Sequence, residues 1–88
     1  MSNRYSVNVP SCYGVSLARK TAFRECVMHS SLRSEFSKGY VPNETLDHFS
    51  ERMDNFIQKK GLHIIEEKPV LSIDGNQYDI DICFTVAW

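Results

Sequence analysis

The clearest pattern in the chain lies between Gln77 and Trp88. Its even positions, Tyr78, Ile80, Ile82, Phe84, Val86 and Trp88, are all apolar, whereas its odd positions are Gln77, Asp79, Asp81, Cys83, Thr85 and Ala87. Alternation with period two predicts a strand with one buried face. The β-branched and aromatic residues along it suit a pleated, half-buried surface. At about 1.5–3 kcal/mol for each large apolar side chain fully buried, this strand is expected to contribute more to the core than any other segment.

The same alternation occupies Arg4 to Val9, with Tyr5, Val7 and Val9 on one face and Arg4, Ser6 and Asn8 on the other. Pro10, which has no amide to give to a ladder, is expected to stop this first strand, and Ser11 to Gly14 reads as a turn. From Ser16 the period becomes helical: Ala18, Ala22 and Cys26, flanked by Phe23 and Val27, form one side, with Leu17 and Met28 away from it. Ser30 and Ser31 compete for backbone hydrogen bonds, so the helix is expected to bend or restart near Ser30. Leu32 and Phe36 continue it until Gly39.

Beyond Tyr40-Val41-Pro42, Asn43 is the expected N-cap of a second helix, with Glu44 in its first turn. Leu46, Phe49, Met53, Phe56 and Ile57 form its apolar stripe, and Lys59-Lys60-Gly61 closes it. Leu62 to Glu67 then reads as a short strand ended by Lys68-Pro69, and Val70 to Ile73 as another. Asp74-Gly75 is a hairpin turn that sets Leu71 opposite Tyr78. The expected fold is α+β: a single domain, 1–88, with two helices packed on one face of a four-stranded, mainly antiparallel sheet in the order β-α-α-β-β-β.

Composition narrows the class. With 42% hydrophobic and 24% charged residues the chain is a globular sequence and not a disordered one. No apolar run approaches a membrane span, and the first residues lack the apolar stretch of a secretory signal. Cys12, Cys26 and Cys83 are odd in number and widely spaced, which predicts free thiols and a cytoplasmic protein. The net charge of −1 conceals a split: six Lys/Arg against two Glu in residues 1–40, but four Lys/Arg against nine Asp/Glu in residues 41–88.

Candidate chemistry is sparse. Cys26-x-x-His29 has the spacing of half a zinc site, but Cys12, Cys83, His48 and His63 supply no second half, so no metal is expected. Asp79 and Asp81, two residues apart on one strand face, read as acids that keep the strand soluble. Gly14, Gly39, Gly61 and Gly75 are isolated, which leaves no phosphate cradle, and no cysteine or histidine sits in a nucleophile motif. No catalytic residue and no cofactor are expected.

The principal expectation is therefore a small, non-catalytic protein-interaction module, a regulator or inhibitor of a larger protein, with Leu17, Met28, Phe84, Val86 and Trp88 as its contact residues. A homodimer formed through the apolar end of the last strand is expected alongside it. Two alternatives stand beside this reading. One is a nucleic-acid-binding protein using Arg4, Arg19, Lys20, Arg24 and Arg33, against which the acidic pI and the absence of an RNP-like strand pattern count. The other is a small enzyme or metal-binding domain.

Overall fold

The computed structural model describes residues 3–71 and 80–88. Strand β1 (Arg4–Pro10) leads through a 3-10 turn at Ser11–Tyr13 into helix α1 (Val15–His29). Helices α2 (Leu32–Ser37) and α3 (Leu46–Lys60) follow, then β2 (His63–Leu71) and β3 (Ile80–Ala87). The architecture is α+β, with three helices and a three-stranded antiparallel sheet in the order β1-β3-β2. The stretch with the strongest alternation thus becomes the central strand, bonded on both sides.

Its even side chains build the core. Phe84 and Val86 are completely buried and pack with Val9 of β1, Ala18, Ala22, Cys26 and Val27 of α1, Leu32 and Phe36 of α2, Met53 of α3, and Leu62. The small residues Ala18 and Ala22 let α1 lie close over β1 and β3. The opposite face of the sheet carries Arg4, Ser6 and Asn8 beside Asp81, Cys83 and Thr85, with Glu66 and Lys68 on the far side. Ser6 and Thr85 join their hydroxyls across it at 3.1 Å.

Three expectations need correction. The two strands expected on either side of Lys68-Pro69 are one continuous strand, so the described residues hold three strands and not four. The ladder shows why proline does not interrupt it. Asn3 and Trp88 exchange both backbone bonds, at 3.1 and 3.2 Å. Antiparallel bonding alternates, so Tyr5, Val7 and Val9 also bond to β3, through Val86, Phe84 and Ile82. The odd residues of β3 then turn their amides and carbonyls toward β2, to His63, Glu66, Lys68 and Val70. Pro69 lies between two of these on an edge strand, where its nitrogen faces away from the ladder and no bond is lost.

Second, there are three helices in place of two, because of the two outcomes expected near Ser30 the restart is the one that occurs. Ser30 is extended (φ −117°, ψ −175°), and its hydroxyl accepts from the Leu32 amide at 3.2 Å, so the residue that breaks α1 also begins α2. Third, Asn43 does not cap α3. It takes the left-handed conformation (φ 59°), and Thr45 caps instead, its hydroxyl accepting from the His48 amide at 3.1 Å. The C-terminal end of α3 follows expectation: Gly61 is left-handed (φ 69°) and its amide closes on the Gln58 carbonyl.

Helix α3 meets α2 through its aromatic side chains. Phe49 and Phe56 are half-buried and meet Phe36 edge-on, with centroids 5.6 and 5.3 Å from it, while Met53 alone of the stripe is fully buried. Leu71 pairs with Ile80 instead of the expected Tyr78, which lies outside the described residues; Leu71 and Ile80 share one face. The expected turn at Asp74-Gly75, together with Asp79, lies outside the described residues.

Candidate functional site

The contact residues expected from sequence are dispersed. Phe84 and Val86 are wholly buried and hold the core, so they form no surface in this fold. Trp88 and Met28 are half-buried against that core, and Leu17 is exposed on α1. Both edges of β3 are already bonded, so β3 is closed to strand pairing with a second copy.

The basic residues are dispersed too. Arg4 lies on the helix-free face of the sheet, and Arg19 reaches Glu67 of β2 at 3.5 Å. Arg33 is on α2. Lys20 and Arg24 line a cleft of about 820 Å³ between α1 and α3, opposite Asp47, Glu51 and Asp54 and above an apolar floor of Phe23, Met53 and Ile57. The split in charge between the two halves of the sequence therefore places a cationic helix wall against an acidic one within the molecule.

Cys26 and His29 part company in the same way. Cys26 is buried beneath α1, which pushes its thiol up to about 11, whereas His29 lies on the surface and contacts Glu25 at 3.0 Å. Among the described residues no group of three His, Cys, Asp or Glu converges as a metal site would require, and no helix is long and apolar enough to cross a membrane.

A more coherent surface forms where α2 hands over to α3. Phe36, at the end of α2, is the hub: its ring takes the edges of Phe49 and Phe56, and the Arg52 guanidinium stacks 4.0 Å from its centroid. Arg52 donates through Nη1 to the Phe36 carbonyl at 2.8 Å, a second bond on the carbonyl at the end of α2 that also accepts from the Gly39 amide at 3.1 Å. It also grips Glu44 with two bonds, Nε to Oε2 at 2.8 Å and Nη2 to Oε1 at 3.0 Å. His48 Nδ1 lies 2.5 Å from the same carboxylate. The Arg52 bond holds the Glu44 carboxyl below the usual carboxylate range, and Glu44 in turn raises Arg52. Lys60 of α3 pairs with Glu35 of α2 and lowers that carboxyl likewise.

These bonds fix the connection from inside and leave its apolar side chains outside. Tyr40 and Leu46 are 67% and 74% exposed, and Val41 is 44% exposed. Between them open two adjoining hollows of about 410 and 470 Å³ that share Tyr40, Glu44 and Phe49; the first is floored by Met28 and Phe36, the second bounded by Leu46. Of the expected residues only Met28 belongs to this surface. The readable signal was Tyr40-Val41 itself, two apolar residues in a helix connection where polar ones are usual. The features that make the place rigid, Arg52 on Phe36 and Glu44, depend on contacts between residues eight and sixteen positions apart. No protein-family model, curated protein or solved structure matches the chain.

Proposed function

We propose that the chain is a non-catalytic binding module that docks a larger protein on the apolar surface of the α2–α3 connection. The observation that carries this reading is the combination of exposed Tyr40, Val41 and Leu46 with a connection held rigid by Arg52. Large side chains left in water on a mobile loop lose their ordering entropy on binding; on a fixed scaffold that cost is already met, and they act as anchors. The hollows floored by Met28, Phe36 and Phe49 then receive apolar groups from the partner. Regulation or inhibition of that partner is the role such a module performs.

The geometry favours this over nucleic-acid binding. A phosphate backbone is followed by a continuous row of cations. Here Arg4 sits on the far side of the sheet, Arg19 is engaged by Glu67, and Lys20 and Arg24 face three acids.

The test is a comparative capture from extract of the source cell, using the full chain, a Tyr40→Ser/Leu46→Asp variant and an Arg24→Glu variant. Proteins retained by the first and third are expected to be lost from the second by tenfold or more, the scale of losing an anchor residue. Equal capture by all three refutes the docking surface. Loss on Arg24→Glu alone, matched by loss of capture from the full chain after nuclease treatment, favours nucleic acid.

A further inference from the structure

The two edges of the sheet are built differently. On β2 beyond its bulge, the outward positions are Glu67, Pro69 and Leu71, as the ladder alternation gives. Pro69 has no amide to offer there, a bulge interrupts the register between Ile64 and Glu66, and Lys68 stands beside them. Proline, a bulge and lysine are three of the devices by which natural sheets prevent another strand from adding to an edge. Strand β1 has none of them before its last residue. Its outward groups are the amides and carbonyls of Arg4, Ser6 and Asn8, and among the described residues no backbone bond takes any of them.

We infer that β1 is an assembly edge, and that its occupant is the β1 of a second copy of this chain, paired antiparallel about a two-fold axis through Ser6. The strand is self-complementary in that register. Arg4 lies opposite the second copy's Asn8 and Ser6 opposite the second copy's Ser6. Every free amide and carbonyl of the three residues is then bonded in both copies. Pro10 falls beyond the ladder, where its missing donor costs nothing. The alternative register about Val7 brings Pro10 against Arg4 and leaves one bond unmade at each end.

Charge permits the same pairing. Arg4 is the only charged residue of β1, and it meets a neutral partner. The two arginines end four residues apart along the strands, about 13 Å at ~3.3 Å per residue, beyond the ~8 Å Debye length of physiological salt. On the helix-covered face Tyr5 meets the second copy's Val7, an aromatic and β-branched pair of the kind that stabilises cross-strand contacts. The half-buried Tyr5 and Val7 lose their remaining exposure, and the result is a six-stranded sheet ending in the two blocked β2 edges. This is a different surface from the α2–α3 connection and stands without it.

Amide exchange by nuclear magnetic resonance on the unmodified protein tests the inference without mutation. The amides of Tyr5, Val7 and Val9, bonded within the chain, are expected to be protected at all concentrations. Those of Arg4, Ser6 and Asn8 are expected to become protected only as light scattering shows the mass doubling. A monomer mass throughout the micromolar to millimolar range overturns the proposal and leaves the edge to a strand from another protein. A dimer in which those three amides still exchange freely overturns it as well, by placing the interface elsewhere. As a second arm, Ser6→Lys and Ser6→Asp are each expected to weaken self-association about tenfold or more, since like charges then face each other across the axis. Mixing the two is expected to restore a heterodimer. Two variants that remain dimeric alone, or that stay monomeric when mixed while folded by circular dichroism, overturn the register.

Discussion

Removing the Phe36 ring is the sharpest test of how the α2–α3 connection is held. The side chain is 4% exposed, lies edge-on to two other rings, and carries Arg52 on its face. Phe36→Ala leaves a cavity between α1, α2 and α3 and deprives Arg52 of its platform. A buried phenylalanine truncated in this way costs about 3–5 kcal/mol. A domain of 88 residues has a total stability of about 4–13 kcal/mol. With a urea dependence of about 1 kcal/mol per molar for a chain this small, the midpoint is expected to fall by about 3 M or more, or the variant to be unfolded in water. Phe36→Leu keeps most of the volume and loses the ring contacts, each worth about 0.5–1.5 kcal/mol, and is expected to fall by roughly 1–3 M. Urea unfolding followed by far-ultraviolet circular dichroism measures all three proteins. An alanine variant within about 0.5 M of the parent at unchanged slope would show that Phe36 is not the hub of the core described here.

Two further predictions concern single groups. Thr45→Ala is expected to lose about 1 kcal/mol by urea unfolding, because the His48 amide loses its acceptor, and Thr45→Asp to retain most of it; equal midpoints for all three would remove Thr45 as the cap. Burial holds the Cys26 thiol neutral up to about pH 11, while in the unfolded chain it ionises near 9. The unfolded state therefore loses its proton first as pH rises, so stability is full below about 9 and declines between about 9 and 11, by roughly 2–3 kcal/mol. Urea midpoints at pH 8 and 10.5 are expected to differ more for the parent than for Cys26→Ala, and an equal pH dependence in both contradicts the assignment.

What the sequence disclosed and what it hid follow a physical division. Alternation reports which residues share a face, so Tyr5, Val7, Val9, Phe84 and Val86 are legible as inward positions from the sequence alone. It does not report which strand lies beside which. Phe84 and Val86 belong to the apolar strand end expected to form a contact surface, whereas β1 and β2 flank that strand and the helices close over both side chains. Pro69 was read as a strand end because a proline in a central ladder would be one; only the strand order shows that it sits on an edge with its nitrogen outward. Ser30 was recognised as a break, and the direction of its hydroxyl decided between a bend and a restart. At the candidate site, Met28 was legible as an apolar residue off its helix stripe. Arg52 was not, since a lone cation on a helix looks solvated until Phe36 and Glu44 are brought to it by the fold.

Site-specific photo-crosslinking tests the docking surface most directly. A benzophenone side chain is placed at position 46, in the apolar surface, or at position 59, at the far end of α3, and each protein is irradiated in extract of the source cell. Discrete protein adducts are expected from position 46 that are absent from position 59, suppressed by excess unlabelled parent and not by excess Tyr40→Ser/Leu46→Asp. Adducts equal at both positions, or undiminished by the parent chain, would contradict the docking surface.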